Sequence, residues 1–311
     1  MTTTLTTADD NFHPRGDDPW WTETVWFAWM VPERQLLGHY YLSFRSNLGV
    51  FAGGVTVFDN TAELPWELPF HSWDWHQPIP GGLDLRRAEL DNGMRIVAEE
   101  PGQRYHLTYR HRRGLNLDMR YTATHEPLLT DEVPPFNKGH LDQIGRVTGE
   151  MVLHGETIPI DCFAMRDRSW GPRREGPQPR AGYTYSALPD GTAFLSVSVS
   201  NDHSDEIRTG FLTRDGIQHR LVAGDRKVDR DRDGRPATVR IDAVDEIGRS
   251  MAAEGRVISR QVLPVYSSML CWNSLVEWTV DGQQGWGEDQ DVWHPRKWRQ
   301  FKESSIGSDI A

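Results

Sequence analysis

The sequence predicts an all-β protein built as two antiparallel β-barrels in tandem. Three observations carry that expectation. Short strand-like segments recur at roughly ten-residue spacing with Gly, Pro and Asp breaks, which is how sandwiches and barrels read. No long segment shows helical spacing with caps. The chain's 311 residues are long for one core and comfortable for two of about 150 each.

In the first half, residues 21–31 (WTETVWFAWMV) are β-rich, Pro32–Gln35 read as a turn, and 37–45 and 48–58 continue the pattern. The Gly53-Gly54 pair inside the third of these marks a bulge or a sharp coil of the sheet. Residues 94–99, 103–110 and 115–124 read as further short strands. In the second half, 182–188 meet a Pro189-Asp190-Gly191 turn and then 192–200, a strict alternation. Strands are expected at 207–213, 217–223, 237–243, 252–260, 269–280 and 286–293. Residues 171–180 (GPRREGPQPR) are rich in Pro, Gly and Arg without periodicity, so they read as the linker between domains 1–175 and 176–311. The tail after Trp298 is polar and reads as frayed.

Composition narrows the function. The net charge is −11, which argues against a nucleic-acid partner, since phosphate binding needs a basic face. The opening MTTTLTTADD does not read as a signal peptide. No stretch approaches the roughly 18 apolar residues of a spanning helix, so membrane insertion is not expected. Cys162 and Cys271 sit far apart in apolar company and read as free thiols of a reducing compartment, hence a cytoplasmic protein. Thirteen tryptophans suit the walls of cavities that hold a hydrophobic small molecule, and equally the filling of wide β cores.

Most motifs lead nowhere. Asp229, Asp231, Asp233 and Gly234 match the start of an EF-hand loop, but Arg240 stands where the bidentate Glu is required, so a charged hairpin turn is expected. The histidines form no zinc pattern beyond His71 and His76 around Asp74. There is no nucleophile elbow, P-loop or dinucleotide fingerprint. No metal or cofactor is expected.

The informative stretch is residues 139–173, GHLDQIGRVTGEMVLHGETIPIDCFAMRDRSWGPR. It reads as a long hairpin, 143–153 against 157–166, with His154-Gly155 at the turn. A two-residue turn pairs Val147 with Cys162, Met151 with Ile158 and Asp142 with Asp167. A three-residue turn pairs Gln143 with Asp167. One step of register sends every side chain to the other face, so both orientations of Asp167 stay open. From the residues alone, Arg166–Arg173 also reads as a surface Asp–Arg ladder capped by Trp170.

The run GHLDQIGRVTG, then HGET, then RDRSWGPR, together with the opening FHPRGDDPWWTETVWFAW, resembles a large bacterial family of uncharacterised two-domain proteins. That family is similar to the AttH and carotenoid 1,2-hydratase (hydroxyneurosporene synthase) group, whose fold is a pair of lipocalin-like barrels. The resemblance implies a catalytic aspartate at Asp167, within an Asp-x-x-Trp element that ends at Trp170, and a partner histidine at His140. The hydratases carry a tyrosine two residues before that aspartate and a histidine after it; this chain has Met165 and Arg168. Two flanking arginines favour a carboxylate over a resting acid, unless Arg166 and Arg168 point away.

The implied chemistry is a cofactor-independent hydratase, dehydratase or isomerase acting on a terpenoid- or steroid-like substrate. Asp167 would be the proton donor or base, His140 its partner, and Trp170 a cavity wall. Trp73, Trp75, Gln143, Met165, Tyr185 and Trp272 are expected to line the substrate cavity. Two other readings stand beside it: a non-catalytic carrier of a hydrophobic molecule, and a cyclase that only templates folding of its substrate. Whether the chain forms a homodimer is left open.

Overall fold

The computed structural model describes residues 6–112, 114–131, 138–174, 179–201 and 204–308. The chain divides into two compact units, Met1–Phe58 with Leu68–Arg174, and Asp59–Glu67 with Glu175–Ala311. The boundary expected at 175/176 lies outside the described residues. None of the described helices is long and apolar enough to cross a membrane.

The first unit is one antiparallel sheet. Its strands are β1 (Trp21–Val31), β2 (Leu36–Arg45), β3 (Val50–Phe58), β4 (Phe70–Pro78), β5 (Arg87–Glu89), β6 (Met94–Glu100), β7 (Arg104–Arg110), β8 (Leu115–Ala123), β9 (Leu128–Asp131), β10 (Gly139–Leu153) and β11 (Glu156–Pro172). They run in the order β4-β3-β2-β1-β11-β10-β8-β7-β6-β5, with β9 on β10. The sheet curls without closing, where the sequence led us to expect a second complete barrel.

Alternation places the core. In β8 the buried positions are Leu115, Leu117, Met119 and Tyr121, and in β7 Tyr105, Leu107 and Tyr109. The curl brings these tyrosines against β1, with Phe27 packing on Tyr105 and Tyr121 at 5.4 and 5.5 Å between ring centroids. This is the inner face. Every residue of β1 is buried, which explains why WTETVWFAWMV shows no polar alternation: neither of its faces meets open water. The bulge expected at Gly53-Gly54 is present, as a register shift between Phe51 and Gly53 where β3 pairs with β4.

The second unit is a closed barrel of β12 (Ala181–Ala187), β13 (Ala193–Ser200), β14 (Asp205–Arg214), β15 (Ile217–Arg230), β16 (Pro236–Asp245), β17 (Ser250–Tyr266), β18 (Met269–Val280) and β19 (Gln283–Trp293). Its apolar core gathers Leu188, Phe194, Leu212, Ile241, Val276 and Trp278. The tail after Trp298, expected to be frayed, belongs to a helix, α1 (Pro295–Ser308). Pro295 suits the first helical position. Trp298 and Phe301, one turn apart, pack on Trp293 at 5.2 and 5.3 Å. The EF-hand-like run closes the β15–β16 hairpin, where Asp231 accepts from Arg235 and Arg260. Both units are thus all-β and lipocalin-like, one closed and one curled.

Candidate functional site

The β10–β11 turn decides where the chemistry points. His154 and Gly155 have φ of 51° and 89°, the left-handed pair of a two-residue turn. Val147 therefore pairs with Cys162, Met151 with Ile158, and Asp142 with Asp167. Alternation then separates two sets of side chains along β11. Arg166, Arg168 and Trp170 lie on one face, and Met165, Asp167 and Ser169 on the other.

The arginines are held on the inner side. Arg166 is buried, its Nε donates to Gln143 Oε1 at 2.8 Å, and its guanidinium lies over Tyr105 at 4.6 Å. Arg168 donates to Glu23 Oε2 at 3.2 Å and to the carbonyl of Asp9 at 3.0 Å. The charges that would have held Asp167 ionised are thus turned away from it. Asp167 forms no ion pair or hydrogen bond among the described residues. Burial raises its carboxyl to about 6; His140, Arg173 and Arg168 oppose that rise, and the neighbouring Asp142 adds to it.

His140 completes the cluster on the outer face. Its Nε2 lies 2.8 Å from Asp142 Oδ1, with the Asp142 side chain 1% exposed and His140 18%. Its other nitrogen, Nδ1, is buried without a hydrogen-bond partner among the described residues, a costly state for a polar atom. Burial pulls the imidazole down, yet Asp142 and then Asp167 outweigh it and raise His140 above its ordinary 6.5. One ligand atom from each of His140, Asp142 and Asp167 falls within 4.8 Å of the others. Such a trio could ligate a divalent cation, with His140 offering Nδ1 while its Nε2 is held by Asp142.

The register continues across the sheet. Asp167 faces Trp26, Trp26 faces Tyr41, Tyr41 faces Gly54, and Gly54 faces Trp73. Direct cross-strand partners share a face, so the carboxylates and these aromatics form one row. Trp26 is 4% exposed and meets His39 edge-on at 5.4 Å.

The expected site residues fare differently. Asp167, His140, Met165 and Trp73 lie on the same outer face, with Met165 fully buried. Trp75 follows two residues beyond Trp73 on β4, half-exposed and 6.0 Å from it. Trp170 is on the opposite face from Asp167. It stacks on His13 at 3.8 Å, 8° from parallel, so it does not wall the Asp167 site. Gln143 likewise points inward; besides accepting from Arg166 it donates to the carbonyl of His125 at 3.1 Å. Tyr185 and Trp272 belong to the closed barrel. Tyr185 lies 3.5 Å from Glu288 Oε2, and Trp272 packs 5.7 Å from Trp298. The sequence reading passed over Asp142, Trp26 and Tyr41. Asp142 was already the register partner of Asp167 under a two-residue turn. Trp26 and Tyr41 depend on the pairing of β1 with β11, across more than a hundred residues, and carried no local signal.

A family model described as "Domain of unknown function (DUF7064)" matches residues 6–290. The chain belongs to this family. No curated protein matches it. Among solved structures, a putative AttH from Nitrosomonas europaea has a TM-score of 0.63 at 16% identity, covering 94% of this chain and 97% of that one. Kievitone hydratase from Nectria haematococca has a TM-score of 0.56 at 10% identity over 87% of this chain and 88% of that one. CghA in complex with Sch210972 has 0.59 at 13% identity over 89% of each chain. At these identities the likeness carries the fold, and it agrees with the AttH and hydratase resemblance drawn from the hairpin.

Proposed function

We propose that this member of the DUF7064 family is an enzyme, a hydratase-type lyase or isomerase that moves protons on a hydrophobic terpenoid- or steroid-like substrate. The observation that carries this reading is the Asp167 carboxyl. It is raised to about 6, free of salt bridges among the described residues, and set beside a histidine whose orientation Asp142 fixes. A carrier has no use for such a pair. The similarity to a kievitone hydratase supports the same class.

In this mechanism Asp167 and His140 share one proton. In hydration it begins on Asp167, which gives it to one alkene carbon while positive charge builds on the other. Water adds to that carbon, and its surplus proton goes to His140 Nδ1, with Nε2–H donating to Asp142. Dehydration runs the same path backwards: His140 protonates the departing hydroxyl and the Asp167 carboxylate takes the C–H proton. Trp26, facing Asp167 across the strands, offers an aromatic face to the developing cation. Asp142 acts through His140 as a positioning residue. A cytoplasmic setting suits Cys162 and Cys271, both free thiols.

The test is turnover in D₂O with isoprenoid and steroid alkenes and alcohols, followed by mass. Gain or loss of one heavy water marks a hydratase or dehydratase. Deuterium incorporation alone marks an isomerase or proton-initiated cyclase. Unchanged masses for molecules shown to bind would leave the carrier.

A further inference from the structure

The row of aromatics beyond Asp167 has a construction of its own. Gly54 stands between Tyr41 and Trp73 and contributes no side chain; a Cβ there would lie 1.9 Å from the carbonyl oxygen of Ser72. Two rings that flank a strand are ordinarily kept apart by the side chain between them. Here the gap lets Tyr41 and Trp73 stack at 5.4 Å, 17° from parallel. On β4, His71 stacks on Trp73 at 6.4 Å and 8°. His71 is tied in place by Thr56, whose hydroxyl is 3.0 Å from Nδ1. Trp26 is buried, while Tyr41 and Trp73 are half-buried. From β11 to β4 is four strand steps, about 19 Å at ~4.8 Å each.

Resting on the acid–base reading above, we propose that Tyr41 and Trp73, continuing the row from Trp26, form the substrate wall. The substrate is then a planar, elongated, multi-ring molecule, its reacting carbon at Asp167 and its ring system extending toward β4. Stacked rings cover one another's faces, so the row offers a substrate a rigid ridge of ring edges, which the face of a flat, rigid body spans edge-to-face. A flexible chain gains less from it, because it must be ordered on binding. The buried Trp73 Nε1 has no hydrogen-bond partner among the described residues, so a small shift of the indole offers one donor to an oxygen at the substrate's far end.

The experiment compares binding of three probes to the full chain by quenching of tryptophan fluorescence: progesterone (planar and tetracyclic), farnesol (acyclic) and limonene (compact). Progesterone should bind best, and Tyr41→Ala and Trp73→Ala should each weaken it roughly tenfold. Trp73→Phe, which keeps a ring, should recover most of that loss and serves as the control for folding. Equal binding of progesterone and farnesol, or tight progesterone binding by Trp73→Ala, would overturn the wall. Asp167→Asn separates the two ideas. If it still turns substrate over while the wall variants lose affinity, the acid–base reading fails and the wall stands. If it binds progesterone but converts nothing, and Trp73→Ala binds as well as the parent, the wall fails alone.

Discussion

At Asp167, burial works in favour of chemistry and against stability. Its carboxyl titrates at about 6 in the fold against 3.8 in an unfolded chain. Below pH 3.8 both states are protonated and the group is neutral to stability. Between that pH and about 6 the unfolded chain releases its proton first, so stability falls as pH rises, then levels off. An Asp167→Asn protein lacks this penalty. Urea melts at pH 8 should find it more stable than the parent, by no more than about 3 kcal/mol, and the gain should shrink toward pH 4. Turnover should move the other way, falling by roughly 10²–10⁴. Because hydration and dehydration both need one proton on the Asp167–His140 pair, kcat/KM should be bell-shaped in pH. The acid limb near 6 should come from Asp167, and the alkaline limb should lie above the ordinary histidine value. A profile flat across that range would remove Asp167 and His140 from the reaction.

At the scale of elements, the hairpin and the glycine gap set the geometry. The two-residue turn at His154-Gly155 sends Arg166 and Arg168 inward and Asp167 outward, which is what lets a carboxyl between two arginines titrate as high as about 6. Gly54 makes an equally local decision for the β2–β3–β4 segment. A Gly54→Ala chain must displace the backbone at Ser72. Thermal melts should show a loss of about 1–3 kcal/mol, with progesterone quenching weakened in step as the Tyr41–Trp73 stack is pushed apart. Unaltered melting and unaltered quenching would mean that the gap has no part in building the wall.

In the molecule as a whole, the closed barrel carries a charged centre that no local signal announced. Arg226 is fully buried and donates to both Asp289 oxygens at 2.9 and 2.7 Å and to Asp205 at 3.1 Å. It also reaches Asp291 at 3.4 Å. Removing the cation leaves buried carboxylates uncompensated, so Arg226→Met should cost about 3–5 kcal/mol in a urea melt. A loss below about 1 kcal/mol would mean that water enters the barrel to replace the guanidinium. The same unit draws in residues 59–67, from which Glu63 pairs with Arg235 at 3.1 Å and Arg260 at 2.6 Å. A linear division of the chain has no place for that excursion.

By itself the sequence determined the all-β class, most strand positions and the turn at Gly155, and it singled out Asp167 and His140 as candidates. Each of these is written in short-range information: alternation, turn residues, a hairpin and a motif. The tertiary structure decided the rest. It chose one of two registers one residue apart, and so placed Trp170 and Gln143 on the far side from the acid they were expected to serve. It brought Trp26 and Tyr41 into line with Asp167 through a strand pairing separated by well over a hundred residues. It turned a polar tail into a helix seated by Trp298 and Phe301. Period-two alternation says that two faces exist, but only the packing of distant strands says which face is inside, and with it how strongly a carboxyl holds its proton.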